Sequence, residues 1–236
     1  MKIEIWSDIM CPFCYIGKRR LESALADFEY ADHVQVEWKS FLLNPDMVTD
    51  PSKSTLEYLS ETKGWSMAQT KQVSQQVVDM AAGEGLVYHM DKTVVANAKN
   101  AHRLLQLGKT LGKGGEMKER LLKAYFTEGA NIDDKATLTA LAMEVGLAES
   151  RVAECLDSGE FAEKVEQDIY ESRLIGVRGV PFFVVDRKYG ISGAQPKEVF
   201  DETIHKAWED YVKANPVLQV AESQDGNNCD LEGNCN

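Results

Sequence analysis

Two short segments near the N-terminus alternate polar and apolar residues: positions 2 to 6, and Val34-Gln35-Val36-Glu37-Trp38. Period-two alternation predicts half-buried strands. Between them Pro12 opens a helix, because its missing N–H costs nothing in a first turn. The helical pattern continues through Arg19-Arg20-Leu21-Glu22-Ser23-Ala24-Leu25 towards Tyr30. The chain therefore opens strand, helix, strand.

After Asn44-Pro45-Asp46 the strand signals stop. Residues 54 to about 175 carry helical periodicities, broken at Gly83-Glu84-Gly85, at 112 to 115, at Gly129 and at Gly146. One helix begins after Asp133-Asp134 with Leu138, Leu141 and Ala142 on one face; another ends at Gly176 after Val165, Ile169 and Ile175. The apolar run from Val180 through Pro181 to Asp186 then reads as a buried strand. Tyr189-Gly190-Ile191-Ser192-Gly193 reads as its partner and residues 197 to 212 as a closing helix. From about 221 the chain is polar and contains glycine, the composition of a flexible tail. The expected organisation is an α/β fold in which residues 1–44 and 176–215 form one discontinuous domain, 45–175 an inserted helical domain, and 216–236 a tail.

The 236 residues are enough to bury a sizeable core without disulfide staples. A net charge of −12 repels phosphate backbones, which argues against a nucleic-acid partner. The first residues lack a basic region followed by an apolar run, and no stretch approaches 18 consecutive apolar residues, so neither a signal peptide nor a membrane span is expected. Five cysteines, at 11, 14, 155, 229 and 235, are too few and too unevenly placed for a secreted disulfide framework. The expectation is a cytoplasmic protein, and the two local cysteine pairs suggest thiol chemistry or metal binding.

Cys11-Pro12-Phe13-Cys14 sits where the first strand meets the helix. At a helix N-terminus the unpaired N–H groups and the dipole favour an anion, so Cys11 is expected to be the attacking thiolate. Cys14, one turn deeper, would resolve the mixed disulfide. Cys11 should be partly exposed and Cys14 more buried. Half of a zinc site, a structural thiol pair and coincidence are the competing readings. Zinc needs further nitrogen or sulfur ligands, and outside the tail only Cys155 and four scattered histidines are available, so no metal is expected. Gly179-Val180-Pro181-Phe182 is the second element. Proline in a strand is confined to an edge, a start or a bend, and X-Pro bonds are where cis peptides occur. A cis bond there would leave the Val180 backbone free to pair with a docked peptide or thiol.

The segment from Trp6-Ser7-Asp8 through Cys11-Pro12-Phe13-Cys14 to Leu21 resembles the active-site signature of the DsbA family, and most closely its cytosolic FrnE-like branch. So do Phe41-Leu42-Leu43-Asn44-Pro45-Asp46, Asn97 with Ala101-His102-Arg103-Leu104, and the run from Gly176 to Phe183. The resemblance covers about residues 1 to 213. It implies a thioredoxin-like fold interrupted by a helical domain, a cis-proline loop at Pro181 facing the cysteine pair, and exchange of disulfides with protein or low-molecular-weight thiols without a cofactor. Pro12, Phe13, Val180 and Pro181 become candidate substrate-binding residues. Asn97 and His102, expected on a helix five residues apart, either line the same groove or belong to a helix packing on the core.

There are departures from the pattern. The family's signature proper carries histidine where this chain has Phe13, which offers the thiolate neither a donor nor a positive charge. The related glutathione-dependent branches, the 2-hydroxychromene-2-carboxylate isomerases and kappa-class transferases, carry serine at the first reactive position, and Cys11 argues against them. A redox-switched holdase is the non-enzymatic alternative. Cys229 and Cys235, separated by five residues that include Gly233, can close a local disulfide and are read as an auxiliary redox pair, a passive disulfide or a metal site. His33, His89 and His205 read as surface or boundary residues and Cys155 as a small buried hydrophobe. The oligomeric state is not legible in the sequence.

Overall fold

A computed structural model describes residues 1–216. Cys229 and Cys235 lie outside the described residues. The chain opens with β1 (Lys2–Ser7), α1 (Pro12–Ala26) and β2 (Gln35–Ser40). There follow β3 (Asp50–Ser54), α2 (Thr55–Lys63), α3 (Met67–Gly83), β4 (Val94–Val95), α4 (Lys99–Thr110) and α5 (Gly114–Lys123). A π-helical turn (Ala124–Glu128), α6 (Lys135–Glu144), α7 (Glu149–Ser158) and α8 (Ala162–Leu174) come next, and β5 (Phe182–Val185), β6 (Tyr189–Ser192) and α9 (Lys197–Ala214) close the chain.

Four strands form one sheet in the order β2-β1-β5-β6, with β1 parallel to β2 and antiparallel to β5, and β5 antiparallel to β6. The central strand carries the first correction. β1 is not half-buried, because both its faces are covered. Ile3 and Ile5 join the main core with Ile16 of α1 and with Phe200 and Ile204 of α9, while Trp6 packs with Val177 and Val184. Glu4 is only 1% exposed, yet it is ion-paired to Arg187 and Lys39. A polar residue in a strand period signals solvent only when nothing buries a partner beside it.

The long segment between β2 and β5 is mainly helical, and α2, α3 and α6 start from side-chain caps. Ser54 and Glu57 form a capping box on α2, and the Asp134 side chain accepts from Thr137 N at the start of α6. It also contains a small two-stranded sheet that the pattern does not predict. β3 pairs antiparallel with β4, but Asp50-Pro51-Ser52-Lys53-Ser54 is polar and carries proline, so no period-two apolar signal marks it. The first helix also stops earlier than expected, at Ala26.

Candidate functional site

Cys11 is the N-cap of α1, and Pro12 fills the first turn without wasting a donor. The Cys14 amide donates to the Cys11 carbonyl at 3.0 Å. Cys11 Sγ lies 3.4 Å from the carbonyl oxygen of Val180, so its thiol is aimed at the loop before β5. The Val180–Pro181 peptide bond is cis. Gly17, one turn beyond Cys14, allows this approach: a Cβ there would meet Pro181 Cγ and Phe183 Cζ, each at 3.1 Å. Cys11, Cys14, Val180 and Pro181 are therefore brought together. Phe13 is 38% exposed beside them, and the Pro12 carbonyl accepts from Tyr88 Oη at 2.8 Å.

The burial order of the two sulfurs is the expected one, but Cys11, at 4% exposed, is buried; Cys14 is at 1%. Its thiol is turned inward onto Val180 and Cys14 rather than out from the helix end. The location of the charge also differs from expectation. The hydrogen bond with Cys14 and then burial push the Cys11 thiol up. Cys14 is pulled down: burial opposes this, but the Cys11 thiol, the Lys118 ammonium and the Ser7 hydroxyl outweigh it. Cys11 therefore holds its proton more firmly than Cys14.

Beneath the pair is a buried polar cluster. Asp8 Oδ2 accepts from Leu43 N at 2.8 Å and Oδ1 from Met10 N at 3.3 Å, which pins the loop leading into Cys11. Burial holds His102 below the usual imidazole range, so the ring is neutral; its Nε2–H faces Asp8 Oδ1 at 3.3 Å and its Nδ1 has no partner. Burial pushes Asp8 up, but the interaction with His102, the hydrogen bond from the Leu43 amide and the Lys118 charge together outweigh it and hold the carboxyl below its ordinary value. Lys118 of α5 donates from Nζ to the Ser7 carbonyl at 3.4 Å and lies 5.5 Å from the Trp38 ring centroid. On the outer side, Tyr15 stacks with Tyr88 and donates to Glu119 at 2.5 Å; Lys18 and Arg19 also bind Glu119.

Two further candidates are held by contacts within the fold. His102 has no exposed surface and acts on Asp8. Asn97 precedes α4 instead of lying on it. Its side-chain amide donates to the Met47 carbonyl at 2.7 Å and its oxygen accepts from Lys99 N at 2.8 Å, so it ties a loop to the start of that helix. Sequence reasoning passed over Lys118, Gly17 and Tyr88. The available signal for Lys118 is its position on the apolar stripe with Leu121 and Leu122, three and four residues away.

The chain matches the model of the DSBA-like thioredoxin domain over residues 2–205. It belongs to that family. It is 30% identical over 211 residues to YwbO of Bacillus subtilis, a protein described as uncharacterized, covering 86% of this chain and 94% of YwbO. It is 35% identical to the probable DsbA oxidoreductase SCO1869 of Streptomyces coelicolor, whose crystal structure superposes with a TM-score of 0.85 and covers 100% of this chain and 98% of that one. A 2-hydroxychromene-2-carboxylate isomerase shares the fold at a TM-score of 0.66 but only 12% identity, covering 91% of this chain and 99% of that one. The family's fold thus carries both oxidoreductases and an isomerase, and the chemistry has to be argued from the residues at the site.

Proposed function

We propose that the protein is a cytosolic thiol-disulfide oxidoreductase working through Cys11 and Cys14. The observation that carries this reading is the placement of the two cysteines: Cys11 at the N-cap of α1 with its thiol facing Val180, and Cys14 one turn inside with its amide donating to the Cys11 carbonyl. Once the pair has lost one proton it shares the other. As that proton passes to Cys14, Cys11 becomes the thiolate and attacks a substrate disulfide, forming a mixed disulfide and expelling one substrate thiolate. Cys14 then attacks Cys11 sulfur, releases the second substrate thiol and closes the Cys11–Cys14 disulfide. Two electrons have passed to the substrate, and the reverse sequence oxidises a dithiol.

Proteins or low-molecular-weight thiols are the substrates in this reading, and no cofactor is needed beyond the two sulfurs. Phe13 beside the pair and the partly buried Val180, Phe41 and Phe182 offer an apolar rim suited to an extended peptide. Glutathione-dependent isomerisation needs no second protein thiol, so the close Cys14 favours exchange. The test is reduction of insulin disulfides with a thiol donor by the wild type and by Cys11→Ser. The variant should fall to the uncatalysed background; full activity in Cys11→Ser would sink the assignment.

A further inference from the structure

We propose that Tyr88 is a positioning residue for Cys11: by hydrogen-bonding the Pro12 carbonyl, its hydroxyl polarises the Pro12–Phe13 peptide and favours the Cys11 thiolate. The inference rests on the reading of Cys11 and Cys14 as an exchange pair and gives the helical segment a part in its first step.

Tyr88 lies between α3 and β4 and is 5% exposed. Hydrogen bonds on either side of it tie it to the π-helical turn. The His89 amide donates to the Phe126 carbonyl at 2.7 Å, and Thr127 Oγ1 donates to the Val87 carbonyl at 2.7 Å. The Tyr88 ring stacks on Phe126 with 4.7 Å between centroids, and on Tyr15, the residue after Cys14, with 6.1 Å. The ring is thus held between the helical segment and α1, and its hydroxyl reaches the Pro12 carbonyl oxygen at 2.8 Å. A carbonyl can only accept, so Tyr88 donates. Burial pushes its phenol well above the ordinary value, which keeps the group a donor at any working pH.

The carbonyl of Pro12 and the N–H of Phe13 belong to one peptide unit, and a donor on the oxygen makes the N–H a stronger donor in turn. A helix ladder leaves its first amides without partners. Because Pro12 has no N–H, the first of them in α1 is that of Phe13, at the second helical position. That amide and the next are the ones an N-cap side chain can reach. Cys11 is the N-cap, yet as a thiol it points elsewhere, to the Val180 carbonyl at 3.4 Å. An ionised sulfur cannot donate to that carbonyl and is repelled by it, so it turns to the amides of Phe13 and Cys14. Tyr88 therefore acts on the thiolate and not on the thiol. The other groups that bear on a charge at Cys11 are Cys14 and Asp8, which oppose it, and Lys118, which favours it. They, and the Tyr15–Glu119 pair, are the same with and without the Tyr88 hydroxyl.

The test uses Tyr88→Phe, which keeps the ring and removes the hydroxyl, in Cys14→Ser protein so that Cys11 titrates alone. Alkylation by iodoacetamide is followed across pH and read at Cys11 by peptide mapping. Relative to Cys14→Ser, the Cys11 midpoint should rise by about half a pH unit, with about threefold slower alkylation below it. A change of access alone would slow alkylation at every pH and leave the midpoint in place. An unchanged or lower midpoint in the folded double variant therefore overturns the proposal. Where Tyr88→Phe fails to fold, a ring-fluorinated tyrosine at position 88, a stronger donor, takes its place; it should lower the midpoint, and an equal or higher one overturns the proposal. Insulin reduction that survives Cys11→Ser would instead overturn the exchange reading, and this inference with it.

Discussion

Gly17 and Pro181 approach so closely that a Cβ on Gly17 would sit 3.1 Å from Pro181 Cγ. The helix that carries Cys11 and Cys14 and the loop before β5 therefore meet at a point where a side chain would have to push its neighbours back by a few tenths of an ångström. Phe183 Cζ lies at the same distance, so two neighbours would have to yield. Gly17→Val should cost about 1–3 kcal/mol through overpacking and reduce exchange activity more than the loss of stability explains. The check is thermal melting together with insulin reduction at a temperature where the variant is fully folded. Wild-type turnover in a folded Gly17→Val would show that this contact does not set the site.

Position 13 is predicted to tune the redox balance. Phe13 gives the sulfurs no positive charge, whereas a histidine at the same exposed position can carry one and stabilise the thiolate, favouring the reduced form. Phe13→His should raise the reduction potential by about 30 mV for every tenfold change in the equilibrium constant. Equilibration with glutathione redox buffers measures this. An unchanged or lower potential would mean that residue 13 does not act on the pair.

How much of this was legible in the sequence differs from element to element. Cys11 and Cys14 announce themselves because their spacing and their place at a strand-helix junction have a direct chemical meaning. The βαβ opening and the β5–β6 pair follow from periodicity. β3 escaped because its pairing owes nothing to apolar alternation, and Glu4 looked exposed because its partners Arg187 and Lys39 lie far away in the chain. Lys118 was passed over, its place on the apolar stripe with Leu121 and Leu122 being a faint cue. A lysine on a helix is normally solvent-facing, and only the packing of α5 over the end of β1 makes it part of the site. His102 stood out as a chemical residue, but the sequence left open whether it lines a groove or is satisfied in a helix packing on the core; the structure turns it inward to Asp8.

Glu119 supplies a pH prediction. Burial works against ionisation, but hydrogen bonds from Arg19, Lys18 and Tyr15 outweigh it and hold the carboxyl down to about 2. A carboxyl with a depressed folded value stabilises the fold above its unfolded value, about 4.3. That contribution is lost as pH falls towards the folded value. Glu119→Gln should lower Tm at pH 7 by roughly 2 °C. The difference from wild type should shrink between pH 4 and 2, and a difference that is constant across this range would contradict the assignment.

The tail pair, Cys229 and Cys235, is proposed as an auxiliary dithiol. Removing residues 221–236 should leave the melting temperature unchanged, since the last helix ends at Ala214. It should slow turnover with a protein thiol donor, because the main pair keeps its chemistry and loses only a relay. Equal turnover over several donors would make the tail pair passive without disturbing the roles of Cys11 and Cys14.

The central claim is that Cys11 is the sulfur that meets substrate and Cys14 the one that releases it. Cys14→Ser incubated with a disulfide-bonded peptide, followed by intact-mass measurement and peptide mapping, tests this most directly. The account predicts one stable adduct, on Cys11, that is discharged by added thiol. No adduct, or adducts confined to other cysteines, would contradict it.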